Sequence, residues 1–195
     1  IIPVKHDDFV PEYVKRTRSN RTNGEYCWTN KPSILQYILK ESHPEWAIYF
    51  DSDMHLFKDI GTCIESHGAS LYFTKHHIIK GYEHYHAQSG EHNGGFAAAR
   101  KSSTTEELLA LWCKACCERP VTAKRVFYDS YSKKVIPDTF DQKVLDALVE
   151  TQDEVKTLQH LGINTGPWSS DYTFRKIGDD IFVENDIVHL FHFQG

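Results

Sequence analysis

The apolar positions of this chain fall into two patterns: short unbroken runs, and longer stretches in which they return every third or fourth residue. Ala47-Ile48-Tyr49-Phe50 and the run from Ala69 to Thr74 belong to the first kind. Both are short and rich in strand-forming residues, so they predict buried strands rather than helix faces. Phe96-Ala97-Ala98-Ala99, entered from Asn93-Gly94-Gly95, and the closing segment DIVHLFHFQG predict further strands. The second kind begins with Ile34, Leu35, Ile38 and Leu39, the spacing of one buried helix stripe. Thr29 or Asn30 is the expected cap, Pro32 falls in the expected first turn, and Pro44 is the stop. STTEELLALWCKACC, residues 103–117, predicts a capped helix with one apolar face. Another helix opens near Asp138 or Thr139 and puts Asp141 and Gln142 in its first turn, where the dipole favours an acid in any protein. Residues 11–24 are basic and turn-rich and predict a loop with a short helix at most. Strands interleaved with helices in this way predict the α/β class.

Two acids at the end of the first run change the picture. Asp51 and Asp53 stand one residue apart after AIYF, and in open α/β sheets the carboxyl ends of strands are where ligands bind. Two carboxylates there repel each other and lose hydration, so the pair is costly unless a cation joins it. Asp-X-Asp offers hard oxygen ligands that suit magnesium or manganese, ions that keep positions for water or substrate phosphates. The competing reading is a solvated turn carrying two acids, which is common after any strand.

Composition narrows the function classes. With 195 residues, 40% hydrophobic and 25% charged, the chain predicts one domain with a sizeable core and excludes disordered or collagen-like structure. A formal net charge of -5 argues against nucleic acid as a partner, while leaving room for a local basic pocket around a diphosphate. Lys75, Lys80 and Arg100 are equal candidates for that pocket. No apolar run reaches the roughly 20 residues of a membrane span, and the first residues lack a secretory layout, so neither is expected. Five cysteines leave one unpaired and fit a reducing, cytoplasmic setting. Cys113, Cys116 and Cys117 raise a zinc reading, but a structural zinc needs four ligands and no second pair is spaced to complete the set. Packing on the buried side of a helix is the simpler account. The histidine-dense segment that starts at His76 and His77 matches no compact ligand set and reads as a polar loop beside a site. The glycines of Asn93-Gly94-Gly95 permit either close approach of backbone to a ligand or a plain tight turn.

One ordered set of motifs goes further. Glu25-Tyr26-Cys27-Trp28-Thr29-Asn30-Lys31-Pro32 is followed by YFDSDMHLF, HNGGFAAARKS, FDQKVLDAL, GINTGPW and a terminal LFHFQG. In that order they resemble a glycosyltransferase of the GT-A fold, and in particular the nucleotide-diphospho-sugar transferases that carry an EYCWT-x-x-P motif before the metal strand. The likeness runs over about residues 18 to 195. It implies a GT-A-like mixed central sheet flanked by helices. It also implies metal-dependent transfer of a sugar from a UDP- or GDP-linked donor to a hydroxyl on a glycan or other acceptor, with manganese or magnesium as cofactor.

Position by position, the resemblance implies that Asp53 binds the metal directly. Asp51 would bind it through one oxygen or a water while meeting the ribose, and His192 would be the third protein ligand. Asn93, Gly94 and Gly95 would line the donor sugar or the acceptor. Asp141 and Gln142 resemble the Asp-Gln pair that faces the sugar in glycogenin-like retaining transferases, which favours retention over an inverting reaction with Asp141 as base. Trp28 and Trp168 would shape the acceptor side, against the ordinary expectation that tryptophan is core. Two departures stand out. Gln194 occupies the place of a histidine usual in the family's ending, and only about fifty residues precede Asp51, so the family's N-terminal, base-binding strands are expected to be missing. The rival readings are a metal-dependent hydrolase with water as acceptor, and a non-catalytic module that binds sugar nucleotide or glycan.

Overall fold

The computed structural model describes residues 3–65, 68–83, 86, 89–118, 126–129, 134–137 and 142–193. Two short helices, α1 (His6–Phe9) and α2 (Glu12–Lys15), and a 3-10 turn over Arg16–Asn20 lead into the long α3 (Asn23–Glu41). Here the structure corrects the expected helix start. Thr22, not Thr29 or Asn30, is the cap: its Oγ1 accepts the Glu25 N–H at 3.3 Å while Glu25 Oε2 accepts the Thr22 N–H at 2.7 Å. This reciprocal pair satisfies two amides that a helix start leaves orphaned and contributes about 1 kcal/mol. Pro32 therefore stands mid-helix, where its missing N–H removes one backbone bond. Thr29 and Asn30 return their side chains to the carbonyls of Glu25 and Tyr26, at 2.8 and 2.7 Å. The stripe is as expected, with Leu35 and Leu39 buried and Ile38 packed against the core.

The principal sheet has the order β1-β4-β3-β7, made by Trp46–Phe50, His92–Arg100, Leu71–Lys75 and Val155–Thr157. β4 runs antiparallel to both β1 and β3, and β7 runs parallel to β3, so the sheet is mixed. Alternation along the strands sends Leu71, Phe73, Ala97 and Ala99 to one face, against α3, α5 (Ser103–Glu118) and α6 (Gln142–Thr151). Trp112 of α5 meets Phe73 edge to face there, with centroids 5.1 Å apart. Tyr72, Phe96 and Ala98 point to the other face, against α4 (Gly61–Glu65) and a second sheet. That sheet has the order β2-β12-β8, from Met54–Leu56, Leu190–His192 and Ile163–Thr165. A meander of β9 (Phe174–Ile177), β10 (Asp180–Val183) and β11 (Asp186–Ile187), and a pair, β5 (Val126–Asp129) with β6 (Lys134–Pro137), complete the described strands. Cys113 and Cys116 are buried on α5, as the packing reading expects. Among the described residues no helix is long and apolar enough to cross a membrane.

Asn93, Gly94 and Gly95 lie inside β4, so the tight-turn reading does not hold. β4 stays in step with β1 through the pair Phe50 and Phe96. Against β3 it is out of step: Phe73 pairs with Ala97, the next residue Thr74 pairs with Asn93, and Gly94, Gly95 and Phe96 have no opposite number. Such a bulge bends its strand and re-aims the side chains beside it, and two glycines let the backbone crowd its neighbours there.

Candidate functional site

The strand directions gather several segments at one end of the principal sheet. Because β4 is antiparallel to its neighbours, its N-terminal residues lie beside the C-terminal ends of β1 and β3. Asp51 leaves β1 with its amide bonded to the Gly95 carbonyl at 3.0 Å, and the Asp51 carbonyl accepts the Met54 N–H at 3.1 Å, closing a turn that carries Asp53. β12 then pairs with β2 so that His192 stands opposite Met54, and the Phe193 amide bonds the Asp53 carbonyl at 2.8 Å. One ligand atom each from Asp51, Asp53 and His192 consequently lies within 4.8 Å of the others.

The chemistry of this trio depends on where the protons are. Asn164, at a left-handed φ of 61° in β8, gives its Nδ2 to Thr74 Oγ1 at 2.7 Å and turns its Oδ1 to His192 Nδ1 at 3.0 Å. His192 must therefore carry its proton on Nδ1, which leaves the Nε2 lone pair directed at Asp53 Oδ1, 3.1 Å away. Burial holds the His192 imidazole below its ordinary pKa even though Asp53 and Asp51 pull the other way, so the neutral ring prevails at pH 7. Two acceptors facing each other at hydrogen-bond distance are unfavourable without a cation between them. The carbonyl-type oxygen behind the far ring nitrogen is also the usual support of a metal-bound histidine. The donor set of two carboxylates and one imidazole fits manganese or magnesium.

Lys31 supplies a fixed positive charge from below. It is 5% exposed, reaches from α3 to the Gly94 carbonyl at 2.8 Å, and stands 3.6 Å from Asp51 Oδ1. Its ammonium also lies 5.5 Å from the centre of the Tyr49 ring, whose hydroxyl donates to Asp51 at 2.5 Å. Asp51 is thereby held in one orientation.

On the other side of the bulge, His76 joins two of the expected sugar-side residues. Its Nδ1 accepts the Asn93 Nδ2–H at 3.2 Å and its Nε2–H donates to Gln142 Oε1 at 2.9 Å, while Asn93 Oδ1 accepts the Gly95 amide at 2.7 Å. Trp168 forms a wall between the two clusters, edge-on to His76 with centroids 5.9 Å apart and to His192 with centroids 5.0 Å apart. Burial pulls His76 down to about 4, so the ring is neutral in the folded protein. Unfolded histidine titrates near 6.5, so between about pH 6.5 and 4 the unfolded chain binds a proton that the folded chain refuses. The stability that neutral His76 provides is thus complete above about pH 6.5 and falls on acidification by on the order of 3 kcal/mol across that window. Urea unfolding at pH 7 and pH 4.5 should show this loss in the native chain and a smaller one in His76→Asn.

Asp146 anchors the helix behind Gln142. Its carboxylate accepts the amides of Glu91 and His92 and faces His92 Nδ1 at 2.7 Å, and His92 Nε2 meets Thr157 Oγ1 at 2.8 Å. Burial would raise the Asp146 pKa, but His92 and the two amides together hold it below the usual carboxylate range. Of the residues expected from sequence, the structure therefore brings together Asp51, Asp53 and His192, and beside them Asn93, Gly94, Gly95, Gln142 and Trp168. Trp28 is half-buried on α3, one turn before Lys31 on the same side of the helix, outside these contacts. Asp141, with the expected cap residues Asp138 and Thr139, lies outside the described residues, as does Gln194. Sequence reasoning missed Lys31, His76 and Asn164. Lys31 and Asn164 sit inside the motifs EYCWTNKP and GINTGPW, so those motifs held a signal for them. For His76, one of two adjacent histidines in a histidine-dense segment, no spacing rule selects it.

Fold and site together define a mixed α/β protein with a candidate cation site at one end of its principal sheet. No protein-family model matches the chain. It is 27% identical over 204 aligned residues to YfnD of Bacillus subtilis (strain 168), described as uncharacterized, covering 100% of this chain and 63% of that one. It is 26% identical to YfnF of the same organism, also described as uncharacterized, covering 94% of this chain and 61% of that one. The chain thus spans less than two thirds of the length of these curated relatives. Among solved structures it resembles the apo form of mouse xyloside xylosyltransferase 1, with a TM-score of 0.46, 13% identity and coverage of 92% of this chain and 69% of that one.

Proposed function

We propose that this chain is the catalytic part of a metal-dependent glycosyltransferase that moves a sugar from a nucleoside diphosphate to an acceptor hydroxyl. The observation that carries the reading is the convergence of Asp51, Asp53 and His192, one ligand atom from each within 4.8 Å of the others, with His192 Nδ1 turned to Asn164 and Nε2 3.1 Å from Asp53 Oδ1. Supporting it is the motif order around that trio, which is the order of nucleotide-diphospho-sugar transferases of GT-A type. Asp51, Asp53 and His192 would hold manganese or magnesium. The bound ion would supply Lewis-acid stabilisation of the charge that gathers on the departing diphosphate.

The chain's own groups do the rest. Lys31 fixes Asp51 from beneath and keeps the two carboxylates from carrying their full repulsion before substrate arrives. Neutral His76 sets the direction of the Gln142 amide and of Asn93, so both can meet sugar hydroxyls without rearranging. Trp168 packs edge-on against both His192 and His76 and helps to hold the two rings in place. As the bond between sugar C1 and the phosphate oxygen breaks, positive charge grows on the ring, much as in glycoside hydrolysis. Gln142 would stabilise that face of the ring, a role that the likeness to glycogenin-like transferases extends to Asp141, and this favours retention of configuration.

The test is calorimetric titration of UDP and GDP into the chain with and without manganese. One of the two should bind with manganese and fail to bind without it; no metal-dependent binding to the folded chain would sink the reading. With a donor in hand, release of sugar should be slow in water and stimulated by acceptor, and the anomeric proton of the product should keep the donor's configuration.

A further inference from the structure

Away from that site, the described residues bring together one other set of metal-ligating atoms. Cys63 lies in α4, His160 in the connection between β7 and β8, and His189 just ahead of β12, and one ligand atom from each lies within 4.8 Å of the other two. Cys63 Sγ is 3.5 Å from His189 Nε2, and the rings of His160 and His189 meet edge to face with centroids 5.1 Å apart. His189 Nδ1 donates to the Asp59 carbonyl at 2.5 Å, which commits the ring proton to that nitrogen and leaves the Nε2 lone pair turned to the sulfur. A metal-bound histidine is held in this way, with its far N–H given to a backbone carbonyl. The carboxylates of Asp186 and Asp59 add negative potential at Cys63, a field that also favours a cation.

We infer that Cys63, His160 and His189 form a zinc site with water in the fourth position. One sulfur and two imidazoles select zinc over magnesium or manganese, while the oxygen-rich trio of Asp51, Asp53 and His192 has the opposite preference. On binding, the Cys63 S–H bond breaks, its proton passes to solvent, and bonds from zinc to Sγ and to the two imidazoles form. His160 Nδ1 accepts the Gly162 N–H at 3.1 Å, and zinc binding breaks that bond between residues two apart, because a neutral imidazole has one lone pair to give. His189 stands just ahead of β12 and His192 at its end, with a shift of register against β8 between Leu190 and Phe191. The zinc would tie to α4 and to the β7–β8 connection the residue that leads into the strand delivering His192. The site needs no sugar nucleotide, so it stands or falls independently of the transferase reading.

The experiment uses the whole chain, stripped with chelator and titrated with cobalt, then with zinc in competition. Expected are one equivalent of cobalt with a thiolate charge-transfer band in the near ultraviolet and tetrahedral bands in the visible, displacement by zinc, and a higher melting temperature in the zinc form. Cys63→Ser should lose the charge-transfer band and that equivalent, while Asp53→Ala keeps both. Because Cys113, Cys116 and Cys117 are also thiols, a band that persists in Cys63→Ser overturns the proposal, as does a native chain that shows none. If Cys63→Ser fails to fold, alkylation of Cys63 in the native chain, read by peptide mass, decides instead: zinc should slow it, and an unchanged rate overturns the site.

Discussion

Asp53→Ala should abolish metal-dependent binding of nucleoside diphosphate while leaving the chain folded. The two halves of this expectation come from different atoms of the same residue. The Asp53 side chain is 46% exposed and faces His192 Nε2, so its loss removes a ligand and no packing. The main-chain carbonyl, which receives the Phe193 amide at 2.8 Å and locks β12 to the Asp53 turn, is untouched by the exchange. Stability should change by less than about 0.5 kcal/mol, as for other half-exposed positions without structural partners. Changes outside a metal's own ligands commonly cost roughly 10- to 100-fold in affinity, and loss of one of three protein ligands should exceed that. Calorimetry with manganese and the tighter of UDP and GDP, beside a urea melt, measures both halves. Retained affinity would mean that Asp51-Ser52-Asp53 is a solvated turn.

Gly95→Ala should damage the same site without touching a ligand. A Cβ built there would lie 2.5 Å from Met54 Cε, 2.8 Å from Asn93 Oδ1 and 2.8 Å from His192 Cε1. The methionine end is flexible and can move aside cheaply. The other two cannot, because Asn93 Oδ1 is bonded to the Gly95 amide and His192 is held between Asn164 and Trp168. Overpacking of this kind costs about 1–3 kcal/mol, and a displaced His192 should lower manganese affinity by roughly 10- to 100-fold. Gly24→Ala is the control, since its nearest neighbour would be 3.7 Å away and alanine suits a helix better than glycine. A Gly95→Ala chain with native melting and native metal affinity would show that the crowding at β4 has no bearing on the site.

Strands such as Trp46–Phe50 and Leu71–Lys75, and the helix over Ser103–Glu118, were legible in the sequence because a buried run or stripe leaves its period there. The start of α3 was not, because Pro32 is a strong local signal for a first turn and was outweighed by a capping box about ten residues upstream. The trio Asp51, Asp53 and His192 could be named only through the likeness of several ordered motifs, since residues 53 and 192 share no spacing rule. Lys31 reads as one more solvated lysine until the fold shows the Gly94 carbonyl waiting for it. His76 is harder still: its role lies in linking Asn93 to Gln142, two residues that only the tertiary structure makes neighbours.

The surplus of Gly94, Gly95 and Phe96 against β3 has a bearing on how the molecule responds to change. β4 is locked in phase with one neighbour and offset from the other, so it cannot slide along either without unmaking both ladders. The separation between the Asp51 turn and Asn93 is therefore set by a count of residues, a discrete quantity, and softening the core cannot alter it by degrees. Substitutions among Leu71, Phe73 and Trp112 should lower the melting point long before they detune the geometry at the sheet's end. Adding or deleting a single residue between His92 and Ala97 would do the reverse.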